Sequence, residues 1–164
     1  MDPVTVQVTI GKPREEVFEY LADIANHAEF CDHYLVDWHL TREDPYGRGA
    51  GARFKVEAPM NRFPWADVTF SEVERPRLIV ERGRAGKFNR IRTLGTWELE
   101  PGAGNTTRVT FSIETQPVML SDKLAEHLGA RRWFKRQNGK ALNRLRLILE
   151  ENRGRGERAT VAAG

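Results

Sequence analysis

Val4, Val6, Val8 and Ile10 alternate with polar residues, the period-two pattern of a strand with one buried face. Gly11-Lys12-Pro13 stops that strand, and Pro13 opens an amphipathic helix in which Val17, Leu21 and Ile24 share a stripe with Phe18 and Ala25 beside it. Asn26 to Asp32 is short and polar enough for one or two further helical turns. From Tyr34 to Ile113 the pattern is β-like. Tyr34, Val36, Trp38 and Leu40 alternate, and a glycine-rich turn separates them from Phe54, Val56 and Ala58. Ala66, Val68 and Phe70 mark the next strand, and Val73 falls on the opposite parity, which predicts a bulge near Ser71. Arg75-Pro76 turns the chain into Leu78 and Val80. Ile91, Gly95, Trp97 and Leu99 share a face of a longer strand, Pro101 to Asn105 is a hairpin connection, and Val109, Phe111 and Ile113 follow. From Ser121 to about Asn152 runs one helical pattern, with Leu124, Leu128, Leu142, Leu145 and Leu149 on a common stripe. Residues from 153 to 164 are polar, then small, and are expected to fray.

Strand, short helices, six strands and a long terminal helix is an α+β order. Short turns between successive strands imply a mainly antiparallel meander, and its apolar face needs a cover that only the terminal helix is long enough to supply. A curved sheet wrapped around one helix leaves a space between them, so a pocket is the first functional expectation. The 164 residues, 40% hydrophobic and 30% charged, suit one domain with a sizeable core. No stretch approaches the length of a membrane span, and Met1 to Gly11 lacks the pattern of a secretory signal, so a cytoplasmic protein is expected. The one cysteine, Cys31, excludes an internal disulfide.

Several motifs in this order resemble the START-like (SRPBCC) superfamily, particularly its polyketide cyclase/dehydrase and lipid-transport branch. They are Val6-Gln7-Val8-Thr9-Ile10 leading through Pro13 into Glu16 to Asp23; Gly49-Ala50-Gly51-Ala52-Arg53-Phe54; Arg75-Pro76-Arg77-Leu78; Gly95-Thr96-Trp97-Glu98-Leu99-Glu100-Pro101; Thr107-Arg108-Val109-Thr110-Phe111; and Ala141-Leu142-Asn143-Arg144-Leu145 followed by Glu150. The resemblance implies a helix-grip fold over residues 1–152, a curved antiparallel sheet around a long C-terminal helix with an apolar cavity between them. It leaves the ligand open, since members include carriers and cyclases, and fold alone does not fix function.

Candidate lining follows from phase. Trp38, Phe54, Phe70, Trp97, Phe111 and Phe134 supply aromatic surface suited to a planar or isoprenoid ligand, with Leu124 and Leu128 from the helix. Arg82 lies in phase with Val80, and Asn89 and Thr93 in phase with Trp97. On the helix His127, Arg131, Lys135 and Asn138 project near the leucine stripe, where polar groups need partners or a ligand. These would give an apolar pocket a polar end that takes a carboxylate, phenol or carbonyl. A cyclase would need little more than a shaped cavity and one base or donor, for which His127 and Arg131 are the candidates. Trp133 projects nearly opposite the stripe and is expected at the surface.

Other chemistry is weakly supported. His27, Cys31, Asp32, His33 and His39 are of metal-ligand type, but no second pair has zinc spacing, so no metal is expected, and no cofactor either. Gly47 to Gly51 lies between two strands, which removes the helix end a phosphate loop requires. Glu57 and Glu81 alternate with apolar residues that mostly send them outward. Net charge is +3, but ten basic residues from Arg131 to Arg158 face only three acidic ones there. That helix is a candidate contact for RNA or another anionic surface, the alternative being a solvated basic face. Oligomeric state is not legible.

Overall fold

A computed structural model describes residues 2–116 and 129–161. Eight strands form one curved, unclosed sheet: β1 (Val4–Ile10), β2 (Leu35–Leu40), β3 (Gly51–Val56), β4 (Trp65–Glu74), β5 (Leu78–Ala85), β6 (Ile91–Pro101), β7 (Thr107–Gln116) and β8 (Thr160–Val161). Their order across the sheet is β1-β7-β6-β5-β4-β3-β2-β8, antiparallel throughout except for the β2–β8 pair. With the long helix α3 (Arg131–Glu151) this is the expected helix-grip α+β architecture. The start of the long helical pattern, including Ser121, lies outside the described residues.

Between β1 and β2 come α1 (Arg14–Leu21), a single 3-10 turn at Ile24–Asn26, and α2 (His27–Cys31). Glu15 and Glu16 favour the positive end of the α1 dipole, and Val17, Phe18 and Leu21 bury its inner face. Asp23 caps the 3-10 turn, accepting from the Ala25 amide at 3.1 Å. The core lies where α3 crosses β1 and leans on α2: Leu142, Leu145 and Ile148 meet Ile10, Val17, Phe18, Leu21, Leu99 and Val109. Among the described residues no helix is long and apolar enough to cross a membrane.

The expected bulge is present. The β4–β5 register shifts between Phe70 and Glu72, which returns Val73 to the inner face opposite Ile79. A second irregularity, between Val36 and His39 in β2, surrounds Asp37 with its left-handed φ of 53°.

The chain from 153 to 161 is docked, contrary to the expectation of fraying. The Gly156 amide donates to Glu29 O at 2.8 Å and the Ala159 amide to Ala25 O at 3.0 Å. Arg155 pairs with Glu29, Arg158 with Asp23, and Thr160–Val161 lies parallel to His39–Leu40. Local polarity hid this, because the partners of those arginines stand more than a hundred residues earlier in the chain.

Candidate functional site

Register fixes what points inward. Trp97 pairs with Phe111 and Ile79, Glu81 with Gly95 and Phe70, and Gly83 with Thr93 and Val68. The inner face is therefore a floor of rings: Trp97 stacks on Phe111 at 4.2 Å between centroids, and Trp38 lies over Phe54 at 4.5 Å. His27 closes on this floor from α2, its ring 5.5 Å from Phe70 and 5.3 Å from Trp97. Its Nε2 donates to Leu21 O at 2.8 Å, and burial pushes its pKa down to about 4, so it is a neutral core histidine.

One carboxyl joins the rings. Glu81 shares the inner parity with Ile79, and Gly95 opposite leaves room for it, since a Cβ there would lie 2.5 Å from Glu81 Cγ. Trp97 Nε1 donates to Glu81 Oε2 at 3.2 Å. The residue as a whole is half-buried, yet desolvation of its enclosed carboxyl outweighs that hydrogen bond and raises the pKa to about 7.

The facing wall comes from α2, the start of β2 and α3. Tyr34 Oη donates to Asn138 Oδ1 at 2.7 Å, and the Cys31 thiol adjoins the Tyr34 hydroxyl. Burial, with the Glu81 charge adding to it, pushes the Cys31 thiol well up. Burial also raises the Tyr34 phenol, with Cys31 and Glu81 reinforcing it. Asn138 is 3% exposed, and its Nδ2 has no hydrogen-bond partner among the described residues. Such a buried donor costs free energy unless something accepts from it.

Of the expected lining, Trp38, Phe54, Phe70, Thr93, Trp97, Phe111 and Asn138 lie on the inner side, and Phe134 is half-buried beside Trp133. Val80 and Arg82 do not: Ile79, Glu81 and Gly83 hold the inner parity, so Val80 is on the outer face and Arg82 is exposed there. Three consecutive apolar residues, Leu78-Ile79-Val80, left that parity ambiguous. The exposed alternation of Arg82 and Arg84 is the signal that resolves it and finds Glu81. Asn89 is exposed in a 3-10 turn, Lys87–Asn89, after β5 has ended. Arg131 is exposed and 3.8 Å from Asp2, and Lys135 is exposed as well. Trp133 corrects in the other direction, since Tyr34, in the turn after α2, covers that flank of α3: it is half-buried, with its ring 5.8 Å from that of Tyr34. His127, Leu124 and Leu128 lie outside the described residues.

The metal-type residues disperse: His33 donates to Gln137 O at 3.3 Å, Asp32 pairs with Arg144, and His39 lies against Trp65. Among the described residues no three such groups gather. Six of the ten basic residues from Arg131 to Arg158 pair within the chain: Arg131, Arg144, Arg146, Arg153, Arg155 and Arg158 with Asp2, Asp32, Glu150, Glu151, Glu29 and Asp23. Nothing in the described residues supports RNA contact.

The sequence matches the family model "Polyketide cyclase / dehydrase and lipid transport" over residues 1–150. The chain belongs to this family. No curated protein matches it. Among solved structures, KanY superposes with a TM-score of 0.73 at 17% identity, covering 90% of this chain and 97% of that one. The Deinococcus radiodurans protein DR_A0006 gives 0.61 at 20% identity, covering 92% of this chain and 98% of that one. DynU16, from the dynemicin biosynthetic locus, gives 0.63 at 21% identity; it covers 95% of this chain, which spans 50% of its own length. At these identities the likeness is one of fold. Within this cyclase and lipid-transport fold, the inner face offers an aromatic floor, one carboxyl poised between charge states, and a buried amide donor.

Proposed function

We propose that the protein binds a hydrophobic small molecule, a lipid, isoprenoid or aromatic polyketide-like compound, between the inner face of the sheet and α3. The observation that carries this is the Asn138 side chain: Tyr34 occupies its oxygen, while its nitrogen is buried and has no partner among the described residues. A ligand carbonyl or phenol oxygen is the acceptor that nitrogen lacks. Glu81 supports the same reading, since its enclosed carboxyl stands on the inner face beside Trp97 as a polar group for a ligand to meet. The rings of Trp97, Phe111, Phe54 and Trp38 supply the apolar contact. A cytoplasmic setting fits the single, buried, unbridged Cys31.

Protein purified under native conditions is expected to carry a co-purifying apolar compound in mass spectrometry, and aromatic or isoprenoid ligands are expected to raise its melting temperature. Asn138→Leu should weaken those ligands about tenfold with the fold retained. A broad hydrophobic library that leaves the melting temperature unchanged would end the proposal.

Glu81 favours a second reading, a cyclase or dehydratase. A carboxyl with a pKa of about 7 is matched to taking and returning a proton at neutral pH, at a carbon made acidic by a carbonyl held on Asn138. Turnover of a polyketide mimic should then rise with pH through about 7 and be lost in Glu81→Gln. Equal turnover in that variant removes this role.

A further inference from the structure

Three of the most exposed large apolar side chains in the described residues stand together at one end of the sheet. Met60 is 98% exposed and Phe63 47% in the β3–β4 connection, and Phe88 is 82% exposed in the β5–β6 connection. The register of β3, β4 and β5 places both connections at the same end. Lys87 joins them, its Nζ 5.7 Å from the Phe63 ring centre and 5.3 Å from that of Phe88. Met60 and Phe88 hold left-handed backbone, φ 62° and 57°, a region that suits glycine or asparagine and costs free energy for bulky side chains. The chain thus accepts both strain and exposure to present them.

The surroundings are basic. Arg62, Lys87 and Arg90 lie in the two connections, where Glu57 is the one acid. Immediately behind them one row crosses the outer face of the sheet, Arg53, Asp67, Arg84 and Arg92, with the last two directly opposite each other. Asp67 stands between Arg53 and Arg84, so the row keeps a net positive charge, with Arg84 and Arg92 as like charges in register that an external anion would relieve.

We infer that Met60, Phe63 and Phe88 form a docking surface for an anionic lipid bilayer, their side chains entering the boundary of headgroups and acyl chains while Arg62, Lys87, Arg84 and Arg92 meet lipid phosphates. Protruding apolar tips with a basic collar have the composition of an interfacial anchor, in which apolar insertion and charge attraction add. The most exposed of the three, Met60, is a thioether chain with no ring to stack on a base, and all three side chains are apolar, which favours hydrocarbon over nucleic acid. This surface needs no ligand inside the fold, so it stands or falls apart from the proposed function.

The test is sedimentation of the full chain with vesicles of phosphatidylcholine, alone or mixed with phosphatidylglycerol. The expected result is binding to the mixed vesicles only, weakening as salt is added. Met60→Asn with Phe88→Asn should lower that binding at least about tenfold. Because asparagine accepts the left-handed backbone, the melting temperature should hold or rise, which separates lost docking from lost folding. Arg62→Glu with Lys87→Glu should also lower it about tenfold or more. Absence of binding to mixed vesicles, equal binding to neutral ones, or an unchanged affinity in the asparagine pair would overturn the inference. So would single-stranded RNA binding that the same variants abolish, without any vesicle binding.

Discussion

Glu81 is the residue on which the inner face turns, because its charge state is set by enclosure rather than by an ionic partner. With its pKa raised from 4.5 to about 7 in the folded chain, the folded state holds a proton that the unfolded state releases. Its contribution to stability is therefore complete below about 4.5 and lost as pH rises through about 7. Glu81→Gln is expected to remove that slope and to exceed the parent chain by about 2 kcal/mol at alkaline pH, measured by urea unfolding across pH. His27 works in the opposite sense. Its pKa, lowered from 6.5 to about 4 by burial, makes stability present above 6.5 and lost as pH falls through about 4. His27→Leu should flatten the acid side of the same curve, at a cost of about 1–2 kcal/mol at neutral pH for the Leu21 carbonyl left unbonded. Neither role was legible in the sequence. His27 reads as one of several scattered histidines, and the inward turn of Glu81 depends on a parity that Leu78-Ile79-Val80 does not declare.

Elements were more legible than residues, since alternation over five or more positions survives local exceptions. Strands β1, β4, β6 and β7, the hairpin at Pro101 to Asn105 and the bulge beside Ser71 all stand where hydrophobic periodicity puts them. Periodicity could not supply what a glycine does inside a strand. A Cβ on Gly83 would sit 2.2 Å from Asp67 O, a backbone atom of the neighbouring strand, so the close approach of β4 and β5 depends on its absence. Gly83→Ala should cost about 3 kcal/mol or prevent folding, read from denaturant midpoints. Gly139 is the contrasting case: it lies inside α3, and among the described residues nothing beyond its own helix comes within 4 Å of the position a Cβ would take. Gly139→Ala is expected to raise stability by about 0.5–1 kcal/mol in the same measurement.

At the scale of the molecule, the two ends of the sequence are tied by charge across the fold. Arg144, mostly buried, reaches from α3 to Asp32, to Glu29 O at 3.0 Å and to Gly154 O at 2.9 Å, joining helix, α2 and the final segment. Glu29 is 5% exposed and relies on Arg155, with Tyr20 Oη donating to its Oε2 at 3.0 Å. Arg155→Ala should cost about 3 kcal/mol in chemical denaturation, and adding Glu29→Gln should restore much of it, because the loss arises from an uncompensated buried charge. Composition offers this basic segment as an anionic contact or a solvated face, since charge complementarity between distant positions has no periodic signature.

The two residues of β8 have a last consequence. They lie along the backbone edge of β2 that would otherwise offer free amide and carbonyl groups to a second molecule. A chain cut after Gly154 is expected to pair through that bared margin and to elute as concentration-dependent dimers in size-exclusion chromatography, whereas unchanged elution would show that the margin needs no cover. Two residues at the margin of the sheet would thus decide whether a second copy finds a strand to extend.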